Sequence, residues 1–183
     1  MSPTAPYADD LLGEGAWILS VAEDGMATMV SWEEFERQAP EPAKVARALL
    51  DERRHKVLAT LRKDGSPRVS GTESQFRDGD LWLGSMPGAV KALDLRRDPR
   101  MALHVTSADP GEGDPSAWKG DVKLAGRAVE ISDGEALASF GLPDSDAHLF
   151  RVELSEVVWT HVQGDELVIE AWHEGAGVRQ VRA

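Results

Sequence analysis

Residues 67–105 read PRVSGTESQFRDGDLWLGSMPGAVKALDLRRDPRMALHV, and the period of the apolar residues changes twice along them. PRVSGTESQF, 67–76, predicts one strand. RDGD, 77–80, predicts a tight hairpin turn, because an Asp–Gly pair tolerates positive φ. LWLGS, 81–85, returns as the next strand. PGAVKALDLRRDP then predicts a single helix with Val90, Leu93 and Leu95 turned inward. Pro99 stops it, since the residue before a proline is driven out of the helical region. RMALHVTS, from Arg100, is strand again.

The flanks extend this alternation. Upstream, KVLATLR alternates with Val57, Ala59 and Leu61 on one side, and KDGS supplies the turn. Ser31 and Glu34 form a capping box for a short helix ending near Gln38. Pro40 and Pro42 break and restart the chain into a helix near 42–54, with Val45, Leu49 and Leu50 on one face. Downstream, DPGEGDPS is an acidic loop, and DVKLAGRAVEIS is a strand in which Gly126 marks a bulge or close approach. Ser132 and Glu135 suggest a second capping box before a helix to about Phe140. HLFRVELSEVVWTHV, the turn QGD and ELVIEAW form a last hairpin. Strands dominate, with one helix inserted after the third. The fold class is mainly β: an antiparallel barrel with a few packed helices.

Composition narrows the chemistry. The chain has 183 residues, 20 Lys plus Arg against 32 Asp plus Glu, and no cysteine. Thiolate nucleophiles, disulfides and Cys-ligated metals are excluded. A net charge of −12 opposes binding to nucleic acid or anionic membrane. The charge is uneven: residues 53–100 carry eleven basic and six acidic side chains, a local excess that suits a small anion. Residues 1–28 hold no basic residue and read as an acidic extension, ordered poorly or docked weakly, with Met29 a natural alternative start. Without a basic n-region or a long apolar run, a cytoplasmic protein is expected.

No nucleophile elbow, Walker A loop or H-E-x-x-H motif occurs, and GEGA at 13–16 lacks the strand and third glycine of a dinucleotide fingerprint. The five histidines are scattered, and the turn at 163–165 pairs His161 with the region of Val168 instead of His173. No metal site is expected and no catalytic side chain is identified, so a reaction here needs a bound cofactor. The candidate anion site is the turn from Gly84–Ser85 into the helix that bears Lys91. First-turn amides, a hydroxyl and an ammonium converge there.

Four landmarks follow one another along this region: DGSPRVS, then LWLGS, then Lys91, then Asp98–Pro99 running into RMALHV. In this pattern the chain resembles the FMN-binding split β-barrel family that includes pyridoxamine 5′-phosphate oxidases and deazaflavin-dependent reductases. The resemblance extends from about Val57 to Trp172. It implies a split barrel over 29–183 that binds FMN, or a deazaflavin coenzyme, at the interface of a homodimer and exchanges hydride with a small organic molecule. It further implies that Arg68, Val69 and Ser70 line the ring and ribityl side, and that Gly84, Ser85 and Lys91 hold the phosphate. Trp172 would lie against the partner's flavin, with Arg182 as a matching arginine.

Three departures argue against the namesake oxidase reaction. Val90 replaces an arginine common in relatives, Glu73 replaces a basic residue, and DGEALASFGLPDSD lacks the Arg–Pro and Ser motif that grips the vitamin's phosphate. Arg53, Arg54 and Lys56, just before the first strand, would either offer a basic groove for a deazaflavin's longer anionic tail or form a solvated helix end. The alternative function is a non-catalytic dimer that binds or senses a flavin.

Overall fold

The computed structural model describes residues 28–109, 115–142 and 146–183. The acidic extension expected over 1–28 lies, but for its last residue, outside them. Ser31 caps α1 (Trp32–Gln38) by accepting from the Glu34 amide at 3.2 Å, as the capping box predicts. The second helix, α2 (Pro40–Glu52), begins two residues earlier than expected, because Pro40 fits a first helical turn. It buries Ala43, Ala46, Leu49 and Leu50, while Val45 is only partly covered.

Among the described residues nine strands follow: β1 (Lys56–Leu61), β2 (Pro67–Thr72), β3 (Ser74–Arg77), β4 (Asp80–Ser85), β5 (Arg100–Thr106), β6 (Asp121–Ile131), β7 (His148–Gln163), β8 (Glu166–His173) and β9 (Gly177–Arg182). They form one antiparallel sheet in the order β2-β1-β5-β6-β7-β4-β3, with β8 on β7 and β9 on β8. The sixteen-residue β7 joins the halves. It pairs with β6 along most of its length, with β4 near its start and with β8 beyond Glu156. His161 pairs with Val168, the register the turn predicts.

PRVSGTESQF is two strands and not one. The chain leaves β1's edge at Thr72, passes Glu73 and joins β4 as β3, so β2 and β3 stand at opposite ends of the sheet order. The Asp78–Gly79 turn takes positive φ at both residues, as the expected hairpin requires. Helix α3 (Val90–Arg97) follows β4 and is tied by side chains to β2.

Two inward faces differ from the expectation. On β1 the buried row is Lys56, Leu58 and Thr60, and Val57 stands 43% exposed. The alternation is real but its parity is reversed. Lys56 Nζ donates to the carbonyls of Arg54 and Ser74, and the Thr60 hydroxyl to Asp94, so polar groups are satisfied inside. On α3 the buried residues are Ala92, Asp94 and Leu95, while Val90 and Leu93 are exposed. Two residues turn a helix by about 200°, which sets the Val90–Leu93 stripe opposite Ala92–Leu95.

Helix α4 (Gly134–Ser139) is capped by Asp133, whose carboxylate accepts from the Ala136 amide at 2.8 Å, and not by Ser132. A ninth strand extends the expected final hairpin. Gly126 is both bulge and close approach: the β6–β7 register shifts there, and a Cβ would lie 1.9 Å from the Glu153 carbonyl oxygen. The core joins Trp32, Phe35 and Trp172 to the barrel interior. Phe35 packs at 5.3 Å from Trp32 and 4.7 Å from Trp172 between ring centroids.

Candidate functional site

The end of β4, the Met86–Ala89 turn and the first turn of α3 border a cavity of about 920 Å³. Gly84, Ser85, Lys91, Glu73, Ser74 and Trp82 are among its lining residues. Ala89, the N-cap of α3, offers no side-chain hydrogen bond to the helix's first amides. Lys91 Nζ donates to the Gly71 carbonyl at 2.6 Å, which leaves two of its three donors for a ligand. Burial lowers the Lys91 pKa below the ordinary lysine value, partly opposed by the negative charge of Glu73. The Ser74 hydroxyl is buried and has no hydrogen-bond partner among the described residues.

The structure therefore brings Gly84, Ser85 and Lys91 together. It places the other expected residues elsewhere. Arg68, Val69 and Ser70 lie on β2 but do not line this cavity. Arg68 Nε donates to Asp94 Oδ2 at 2.6 Å, facing a second cleft with Arg62, Lys63 and Arg97. Asp94 is 3% exposed and also accepts from Thr60 at 3.1 Å and Arg97 at 3.0 Å. Burial pushes its carboxyl up, but the bonds from Arg68, Arg97 and Thr60 outweigh this and hold it below the usual aspartate value. Val69 is 70% exposed, and the Ser70 hydroxyl is buried without a partner among the described residues.

Trp172, expected against a partner's flavin, is 0% exposed in the single chain and packs in the core beside Phe35. Arg182 bonds Glu166 and Gln163 at 2.8 Å each, across the outermost strands. Arg53, Arg54 and Lys56, expected to line one basic groove, lie in different surroundings. Arg53 lines a separate outer cleft, Arg54 bonds Glu73 at 3.0 Å, and Lys56 is buried.

That outer cleft, about 870 Å³, lies on the face bearing Val57, His104, Thr106 and Trp118. Among the described residues no group of three or more His, Asp or Glu side chains is arranged to hold a metal. No described helix is long and apolar enough to cross a membrane.

Glu73, Ser74, Trp82 and His55 line the cavity without having been expected there. Trp82 had a signal, because alternation in LWLGS sets it opposite the buried Leu81 and Leu83. Ser74 had none, since its place depends on the break after Thr72.

An antiparallel sheet of this strand order, with a helix inserted between β4 and β5 and a cavity at that helix's start, is the architecture of the split-barrel class. The chain belongs to the pyridoxamine 5′-phosphate oxidase family, whose family model matches residues 43–161. Among solved structures it resembles PhzG from Burkholderia lata 383, crystallised with tetrahydrophenazine-1-carboxylic acid. The identity is 15%, the TM-score 0.54, and the match covers 82% of this chain and 90% of that one. A heme binding protein from Mycobacterium smegmatis matches at 18% identity and TM-score 0.52, over 78% and 87% of the two chains. The conserved hypothetical protein Rv2991 from Mycobacterium tuberculosis matches at 21% and 0.50, over 63% and 81%. These likenesses establish the fold alone. No curated protein matches the sequence.

Proposed function

We propose that the protein is a flavin-dependent oxidoreductase that holds FMN at the Lys91 cavity and exchanges hydride with a small organic substrate. The observation that carries this reading is the convergence of Gly84, Ser85 and Lys91 on one cavity beside the uncapped start of α3. The residues present fit the group. A volume of about 920 Å³ lies within the range of cofactor sites, and Trp82 offers an aromatic wall.

Bound flavin would supply the hydride chemistry. The chain's part is to hold and orient. Lys91 donates charge-assisted bonds to the phosphate, each worth about 1.5–3 kcal/mol, while Gly84 permits close approach of the backbone. Dispersal of Arg53, Arg54 and Lys56 favours FMN over a deazaflavin with a long anionic tail. The exposed Val57 and Val69 face supports a homodimer in which a second copy covers that side. A cytoplasmic setting is consistent with this chemistry and is part of the proposal.

Titration with FMN, read by tryptophan quenching, tests the reading. Lys91→Ala is expected to weaken binding by roughly tenfold or more, and unchanged affinity would remove the phosphate from this turn. A protein that binds flavin but is neither reduced nor reoxidised by any acceptor is instead a flavin store or sensor. That second reading is favoured by the lack of an identified catalytic side chain.

A further inference from the structure

Sulfur is scarce in this chain. It has no cysteine and 5 methionines, so thioethers are all the sulfur that an oxidant can meet. Met29, Met86 and Met101 fall among the described residues, in different surroundings. Met101 is 6% exposed on β5, Met29 is partly covered, and Met86 is 79% exposed. No other large apolar side chain among the described residues stands so far into solvent. Met86 also belongs to the candidate site. It follows Ser85 and lines the same cavity as Lys91. Its carbonyl accepts from the Ala89 amide at 3.1 Å, which closes the turn that opens α3.

We propose that Met86 is an oxidation site, and that its sulfoxide weakens the hold of the cavity on an anion. The first half stands on exposure and on the missing thiols. The second rests on the reading of this cavity as the phosphate site. The oxidant is hydrogen peroxide. A sulfur lone pair attacks one peroxide oxygen and the O–O bond breaks. The departing hydroxide takes the proton of the transferred oxygen, leaving sulfoxide and water. Exposure decides which sulfur reacts, so Met86 is taken ahead of the buried Met101. The reaction puts a strong hydrogen-bond acceptor on the cavity wall. The remaining donors of Lys91 lack a protein partner, and no side chain caps the first amides of α3. A sulfoxide oxygen competes with a bound anion for these groups, and its partial negative charge opposes the anion directly.

The full chain is treated with hydrogen peroxide, and each methionine is followed by peptide mass spectrometry. Met86 is expected to react at least about tenfold faster than Met101. FMN and, separately, inorganic phosphate are then titrated by calorimetry into untreated and oxidised protein. Oxidation is expected to lower the affinity for both by about fivefold, the equivalent of one hydrogen bond. Met86→Leu should show no change on the same treatment, and methionine sulfoxide reductase with dithiothreitol should restore the affinity of the wild type. A Met86 that reacts no faster than Met101 overturns the assignment of the site. An affinity unchanged by oxidation, or one that falls equally in Met86→Leu, overturns the effect on the anion. Untreated protein that binds neither FMN nor phosphate defeats the cofactor reading and that effect together, while the mass spectra still decide the oxidation site.

Discussion

The two sides of the barrel are built by different means. Across β6 and β7 the backbone closes on itself, so tightly at Gly126 that no side chain fits against Glu153. Between β2 and β4, α3 and side chains do the joining: Arg68 to Asp94, Lys91 to the Gly71 carbonyl, and Lys56 to the Ser74 carbonyl. The first wall is rigid because its bonds are backbone ladders. The second contains polar groups with unused bonding capacity, and the cavity is there. On the proposed function, stability and ligand binding fall to separate walls of one sheet.

The largest expected effect breaks the rigid wall. Gly126→Ala is predicted to cost about 3 kcal/mol or more, because the methyl meets a backbone carbonyl that cannot turn aside. Chemical denaturation measures it, and a loss below about 1 kcal/mol would show the two walls to be equally compliant. Asp94→Ala, on the side-chain-built wall, is expected to cost about 2–3 kcal/mol by stripping Arg68, Arg97 and Thr60 of their common acceptor. An intact stability curve would mean that the seam is held by something else.

Smaller effects sharpen the contrast by pH. With its pKa lowered, Lys91 loses its proton below the ordinary lysine range, so FMN affinity should fall with rising pH earlier than for a free lysine. Lys91→Arg should hold its affinity through that range. At the other extreme, bonds from Arg100 hold the Asp98 carboxyl at about 2, against an ordinary value of 3.8. The folded pKa is the lower one, so this contribution is present above pH 3.8 and is lost as pH falls toward 2. Acid titration of Asp98→Asn should show a shallower loss of stability there.

Local signals were readable in the sequence. Ser31, the Asp78–Gly79 turn and Gly126 each reveal their role through a backbone need that a neighbouring residue meets. The Gly84–Lys91 turn was readable from the Gly and Pro residues that precede the helix. What was hidden depended on distant partners. The parity of β1 could not be fixed because both of its faces carry apolar residues, and the buried one also takes Lys56 and Thr60. Asp94 looks like a surface acid until Arg68 and Thr60 are brought to it by β1 and β2. Trp172, expected at a ligand, is claimed by the core because α1 packs Phe35 against it.

The position of β7 bears on biosynthesis. As the chain leaves the ribosome, β4 and β6 each keep a bare hydrogen-bonding edge until the segment from His148 onward emerges to pair with both. Everything upstream of that segment must therefore wait with open strand borders, a state prone to self-association and to capture by chaperones.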